Sequence, residues 1–188
     1  AQVSERDQDK MARVVGHLVQ ILAQGRLPAV ERAAAGVVLA KLGDPRPGVG
    51  VDNDGLPDIV WCEVPAGPFL MGTRAEKIPA LMERYGGERD WDETPQHRRT
   101  LPSYRISRYP VTNAQFAVFV VAGGYGEGAW WEEAIAAEVW REGRVKGRYD
   151  SDWRTAPRDY GDPFNLANHP VVGVMWYEAV AYCRWLSA

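Results

Sequence analysis

The sequence predicts an α+β fold preceded by a helical hairpin. Two stretches with helical apolar spacing open the chain and a turn-rich segment follows. Beyond it, short apolar runs bounded by glycine and proline alternate with further helical spacings. At 188 residues there is room for one ordinary domain plus a small flanking segment, and mixed element types of this kind give the α+β class.

From Asp9 to Gln24, Met11, Val14, Val15, Leu18, Ile21 and Leu22 recur at offsets of three and four, which lays one apolar stripe along a helix that Gly25 ends. A second helix is expected from Pro28, suited to a first turn, through Leu42. Gly43 would serve as its left-handed cap, and Pro45 bars continuation. Residues 1–45 thus read as a helical hairpin. Residues 46–57, rich in Gly, Pro, Asp and Asn, read as a linker, and residues 58–188 as the second domain.

In that domain Asp58 to Val64 and Phe69 to Met71 are expected as strands of a hairpin turning at Pro65-Ala66-Gly67-Pro68. Thr73 to Tyr85 follows as a short helix, Gly86 to Thr100 as a charged loop, and Ser103 to Tyr109 as a strand. Thr112 can cap a helix from Asn113 that buries Phe116, Phe119 and Val120. Gly123 to Asn168 reads as irregular, with a short helix from Trp131 to Arg141. Pro170 to Val174 is expected as a strand, and Met175 to Ser187 as a helix with Ala179, Tyr182, Cys183 and Leu186 in register. A helix stopping there leads us to expect a further segment completing the fold.

Lys plus Arg is 22 against 25 Asp plus Glu, so the formal charge is −3, and no basic run exists to neutralise phosphates: nucleic acid is not the expected partner. No run of about 18 apolar residues is present, so no membrane span is expected. Cys62 and Cys183 form no CxxC or Cys/His cluster, which leaves a reducing cytoplasm as the expected setting.

Eight Trp and eight Tyr are many for this length. Six of them, Trp130, Trp131, Trp140, Tyr149, Trp153 and Tyr160, fall in the long irregular stretch. They are the candidate ligand-binding residues, because Trp and Tyr make large contacts at little rotamer cost. The alternative is that they pack a second small core. Trp176 and Trp185 are expected in the core, and both cysteines as buried thiols.

His17, His97 and His169 are too widely spaced for a metal triad. His97 reads as a hydrogen-bonded member of a Thr94 to His97 turn. Asp52, Asn53, Asp54 and Gly55 suggest a calcium loop, but Leu56 and Pro57 occupy its positions five and six, so a linker turn fits better. Asp90, Asp92 and Glu93 read as a solvated face. No catalytic residue and no metal ligand emerges.

Four motifs stand in one order: Val64-Pro65-Ala66-Gly67-Pro68-Phe69-Leu70-Met71-Gly72; Glu93-Thr94-Pro95-Gln96-His97; Tyr109-Pro110-Val111-Thr112-Asn113-Ala114-Gln115-Phe116; and His169-Pro170-Val171-Val172-Gly173-Val174-Met175-Trp176-Tyr177-Glu178-Ala179, continued by Tyr182-Cys183-Arg184-Trp185-Leu186-Ser187. Together they resemble the formylglycine-generating enzyme-like (sulfatase-modifying factor) domains. The resemblance implies a C-type lectin-like fold of which this chain would be the N-terminal part. It also implies a copper-binding cysteine pair and calcium sites that would lie beyond Ala188.

A branch of the family that forms carbon–sulfur bonds with non-haem iron uses a His-x-x-x-His-x-Glu cluster, which is absent here. The helical hairpin with its Leu42-Gly43-Asp44-Pro45-Arg46 linker resembles the flank of retroelement-associated members, and with the aromatic-rich stretch it makes the leading expectation a ligand-binding protein for a protein or other macromolecule, displaying a C-terminal surface as retroelement-diversified proteins do. The alternatives are a copper-dependent oxidase converting a substrate cysteine to formylglycine, and an accessory module of a bacterial signalling or conflict system.

Overall fold

The structure is a computed structural model that describes residues 5–86 and 93–188; Asp90, Trp91 and Asp92 lie outside the described residues. Helices and sheet are mixed, as an α+β class requires. The chain forms two compact units, Trp61–Ile106 and the remainder, Ala1–Val60 with Ser107–Ala188.

The larger unit opens with α1 (Glu5–Gln24) and α2 (Ala29–Leu42), which pack on each other. Ala35 and Leu39 of α2 are buried at the joint. Pro28 stands at the N-cap, one step before the expected first turn. Gly43 has φ 92° and ψ 120°, a positive φ without the left-handed helical ψ. The chain leaves α2 extended because Asp44 is held at once by Arg46 (2.6 Å) and Asn168 (2.8 Å).

The segment after the hairpin is tied down by hydrogen bonds. Asp58 accepts from the Gly48 amide (2.8 Å), and Gln115 donates to the Asp58 carbonyl (2.5 Å). Asp52 closes a turn on the amides of Asp54 and Leu56, both at 2.9 Å. That is the local self-bonding of an Asx turn, in keeping with the linker reading rather than a calcium loop.

Helix α4 (Asn113–Val121) carries a full capping box. The Thr112 hydroxyl accepts from the Gln115 amide, and the Gln115 side chain accepts from the Thr112 amide. Two orphan helix donors are thereby satisfied, so both side chains can be buried. The Thr112 hydroxyl also donates to the Val49 carbonyl at 2.7 Å.

A short helix, α5 (Glu132–Ala136), follows a 3₁₀ turn at Gly128–Trp130. Two-residue strands β5 and β6 come next in this unit (Trp140–Arg141 and Arg144–Val145), paired antiparallel. The segment 170–174 forms a bridge from Pro170 to Thr112, a bond from the Val171 amide to the Val111 carbonyl and one from the Arg158 amide to the Gly173 carbonyl, but not the expected strand. Proline contributes no donor there, so no ladder can grow.

Helix α6 (Trp176–Ser187) closes the unit. Its buried residues are Glu178, Ala181 and Tyr182, whereas Ala179 and Cys183, expected inward, are exposed. The core around it is aromatic. Phe119 meets Phe116, Tyr125, Trp131, Tyr182 and Trp185 at centroid distances of 5.5 to 6.3 Å. Contacts of this kind contribute about 0.5–1.5 kcal/mol each beyond area burial. A Cβ on Gly124 would lie 2.0 Å from the Phe119 ring, so that position has room for glycine alone.

In the smaller unit β1 (Trp61–Val64) pairs with β4 (Tyr104–Ser107), and β2 (Gly67–Met71) with β3 (His97–Leu101). The expected β1–β2 hairpin is not formed. Instead the two strands run on as one arm interrupted at Pro65-Ala66, opposite an arm interrupted at Pro102-Ser103. The prolines remove donors where the ladder breaks. Part of the expected charged loop is therefore strand β3, registered so that Met71 faces His97 and Gly67 faces Leu101. Helix α3 (Ile78–Tyr85), entered through a 3₁₀ turn at Ala75–Lys77, fills the intervening stretch.

Candidate functional site

The densest polar chemistry of the larger unit is buried under α6. Glu178, fully excluded from solvent, accepts two bonds from the Arg154 guanidinium, one of them at 2.5 Å, and one from the Tyr125 hydroxyl. Its Oε2 also reaches back to the Met175 amide (2.7 Å), capping α6. Arg154 continues to Asp150 (3.3 Å) and to the Ala156 carbonyl (2.8 Å). Asp150 in turn holds the Gly147 amide (2.8 Å) and Arg158.

Both oxygens of the carboxylate are engaged, as a buried charge requires. Burial, then the neighbouring Glu178 charge, push the Tyr125 phenol far above its ordinary range. For Asp150, the Gly147 amide bond and then the two arginines outweigh burial and hold the carboxyl below the ordinary aspartate value. Each member of this network is engaged by at least one other. Its role is to fasten residues 147–158 onto α6. Glu178 could have been suspected from the sequence as a carboxylate on the inward face of an otherwise apolar helix. Its partner Arg154, 24 positions away, carries no such local signal.

The six candidate aromatics do not converge on one surface. Trp131 is 1% exposed and stacks at 6.4 Å with half-buried Trp140; their indole N–H groups donate to Gly124 and Tyr125 carbonyls. Trp131 belongs to the core and Trp140 packs against it. Trp153 lies under Arg141 as a cation–π pair, and Tyr149 under Arg148. Tyr149 and Tyr160 are exposed.

Trp130 borders an open groove of about 690 Å³ along the outer face of α6, with Trp176, Val180, Cys183 and Arg184. Arg184 fixes that edge through Glu133 (2.5 and 2.6 Å) and the Trp130 carbonyl (3.3 Å). Tyr160 instead borders a separate apolar slot of about 230 Å³ beside α4, with Phe116, Val120, Val121 and Phe164. Trp176, expected in the core, is 62% exposed; Trp185 does pack against the core.

Both thiols are exposed rather than buried. On α6 the apolar surroundings of Cys183 still push its thiol up. His97 donates through Nδ1 to the Pro95 carbonyl (2.9 Å), a structural bond within its turn. Among the described residues no three His, Cys, Asp or Glu side chains come together to hold a metal ion. Cys62 lies on β1 of the smaller unit and Cys183 on α6 of the larger. Among the described residues, too, no helix is long and apolar enough to cross a membrane.

The sequence model of the sulfatase-modifying factor enzyme 1-like domain matches residues 52–188. Hercynine oxygenase of Mycolicibacterium smegmatis is 33% identical over 126 residues, covering 66% of this chain and 27% of that protein. Formylglycine-generating enzyme of Mus musculus is 32% identical over 141 residues, 65% of this chain and 34% of that enzyme. The serine/threonine-protein kinase Pkn1 of Chlamydia trachomatis is 35% identical over 104 residues, 55% of this chain and 15% of the kinase. The chain thus spans a minor part of the length of the curated relatives it matches. With the four motifs falling in that matched region, this chain belongs to the sulfatase-modifying factor (formylglycine-generating enzyme-like) family.

Proposed function

We propose that this chain is the scaffold section of an oxidative enzyme, built on a C-type lectin-like fold, that converts a substrate cysteine to formylglycine. The observation that carries this reading is the family match over residues 52–188 together with relatives named formylglycine-generating enzyme and hercynine oxygenase, the second oxidative by name. Copper, when bound, would supply the activation of oxygen, and the cysteines that hold it would lie outside residues 1–188. What this chain contributes is positional: the Arg154–Glu178–Tyr125 network fixes residues 147–158 against α6. The ligand-display reading loses its support here, because the six aromatics are divided among core, groove, slot and open surface.

The test uses the full-length protein loaded with copper and given a cysteine-containing peptide. Oxygen uptake with appearance of a hydrazide-reactive aldehyde on the peptide is expected. A folded, copper-loaded protein that consumes no oxygen with any cysteine peptide would refute the reading.

The kinase relatives favour a second reading, an accessory module of a signalling protein, since the shared region is a small part of a protein with a different named activity. Met11 and Val14 are 45% and 47% exposed on α1 and would be its docking residues. Charged replacements there should release a partner in a pull-down without altering helicity. Retained binding would count against it.

A further inference from the structure

We propose that the apolar slot beside α4 is a binding site for a small arylalkyl ammonium, a single aromatic ring carrying a short chain that ends in a charged amine. The slot holds about 230 Å³, with Phe116, Val120 and Val171 among its walls and the exposed residues Asp159, Tyr160 and Phe164 at its mouth. A cavity of about 150 Å³ lined by apolar side chains accepts benzene. This one therefore has room for a ring with two or three further carbons.

The slot is held open by bonds on both sides of residues 158–166. The Arg158 amide donates to the Gly173 carbonyl (3.1 Å), and a Cβ on Gly173 would lie 2.4 Å from the Arg158 carbonyl oxygen. Gly173 also has φ +71°, so a glycine is what lets the two segments approach. Farther along, Asn113 donates through Nδ2 to the Phe164 and Leu166 carbonyls (2.7 and 2.9 Å). A cavity fixed in this way asks little ordering of itself when a ligand enters. Water gains little there, because a buried water makes about three hydrogen bonds and the walls are chiefly apolar.

Charge at the mouth selects the head group. Arg154 and Arg158 are matched by Glu178 and Asp150, two cations against two carboxylates. Asp159 stands outside that balance: its Oδ1 accepts from the Gly161 amide (2.7 Å), and among the described residues it forms no ion pair. The uncompensated charge beside the slot is therefore negative and held in place by its own turn. Tyr160 and Phe164, 57% and 52% exposed, add aromatic faces that attract a cation. An apolar body with an ammonium head meets both the walls and the mouth, whereas a carboxylate head meets repulsion.

Titration of the full chain with 2-phenylethylamine and with 3-phenylpropionate at about pH 7, followed by methyl NMR shifts, tests this. The amine is expected to move the Val120 and Val171 methyl signals and to bind at least about fivefold more tightly than the acid. Asp159→Asn keeps an oxygen for the Gly161 amide and loses the charge, so it should weaken the amine by about threefold and narrow the preference over the acid. Absence of amine binding, equal affinity for the acid, shifts confined to other methyl groups, or an unaffected Asp159→Asn would each overturn the assignment.

Discussion

Replacing Glu178 by alanine removes four hydrogen-bond acceptances at once: two from Arg154, one from the Tyr125 hydroxyl and one from the Met175 amide. Alanine leaves the Arg154 side chain, 17% exposed, with only Asp150 at 3.3 Å as counter-charge, and leaves the Tyr125 hydroxyl buried without a partner. Breaking one side of a buried pair costs about 3–5 kcal/mol. For a chain of this size each kcal/mol moves the melting midpoint by about 2–4 °C, so a fall of roughly 6–20 °C is expected for the larger unit.

Calorimetric melting gives the midpoint, and hydrogen exchange at the Val145 and Arg154 amides, which bond across to each other's carbonyls at 2.8 and 2.9 Å, reports whether the fastened segment opens. The double replacement Glu178→Met with Arg154→Met should recover much of the loss, because it leaves no unpaired charge. If Glu178→Ala moved stability by less than about 1 kcal/mol and left those amides protected, the network would not be what holds residues 147–158 on α6.

Three further outcomes follow from the same physics. Thr112→Ala should cost about 1–2 kcal/mol in denaturant unfolding, since it removes the α4 cap and the donor to the Val49 carbonyl together. Gly72→Ala should disrupt the smaller unit, because a Cβ would sit 2.3 Å from the Glu93 carbonyl oxygen at φ +86°; intact exchange protection of the Thr73 amide in that variant would contradict this. For Asp44, burial pushes the carboxyl up, but the bonds from Arg46 and Asn168 outweigh it and hold it below its ordinary 3.8. Its stabilisation is therefore complete above that value and is lost as pH falls through the lower folded value. An acid melt of the parent should show it below about pH 4, and Asp44→Asn should flatten that limb.

How much was legible depended on whether a feature is local in sequence. The α1 stripe, the Thr112 cap and the Asp52 turn are written in residues within four positions of one another, and the structure contains all three. The pairing of β1 with β4 was not, because adjacent apolar runs around Pro65 look like a hairpin until the partner strands 97–107 compete for them. Nor was the face of α6: its spacing suits several orientations, and only the site of Arg154 selects the one that buries Glu178 and exposes Cys183 and Trp176.

The aromatic-rich stretch marks the same boundary. Composition announced that Trp130, Trp131, Trp140, Tyr149, Trp153 and Tyr160 needed a reason, and could not assign one. Sequence by itself determined the family, through four ordered motifs, and the α+β mixture of elements, because caps, turns and apolar periods act over a few residues. Only the tertiary structure decided that Trp131 belongs to the core, that Tyr149 stands in solvent, and that a glutamate is the buried anchor of α6. Burial depends on which distant segments arrive at a position, and no local period encodes it.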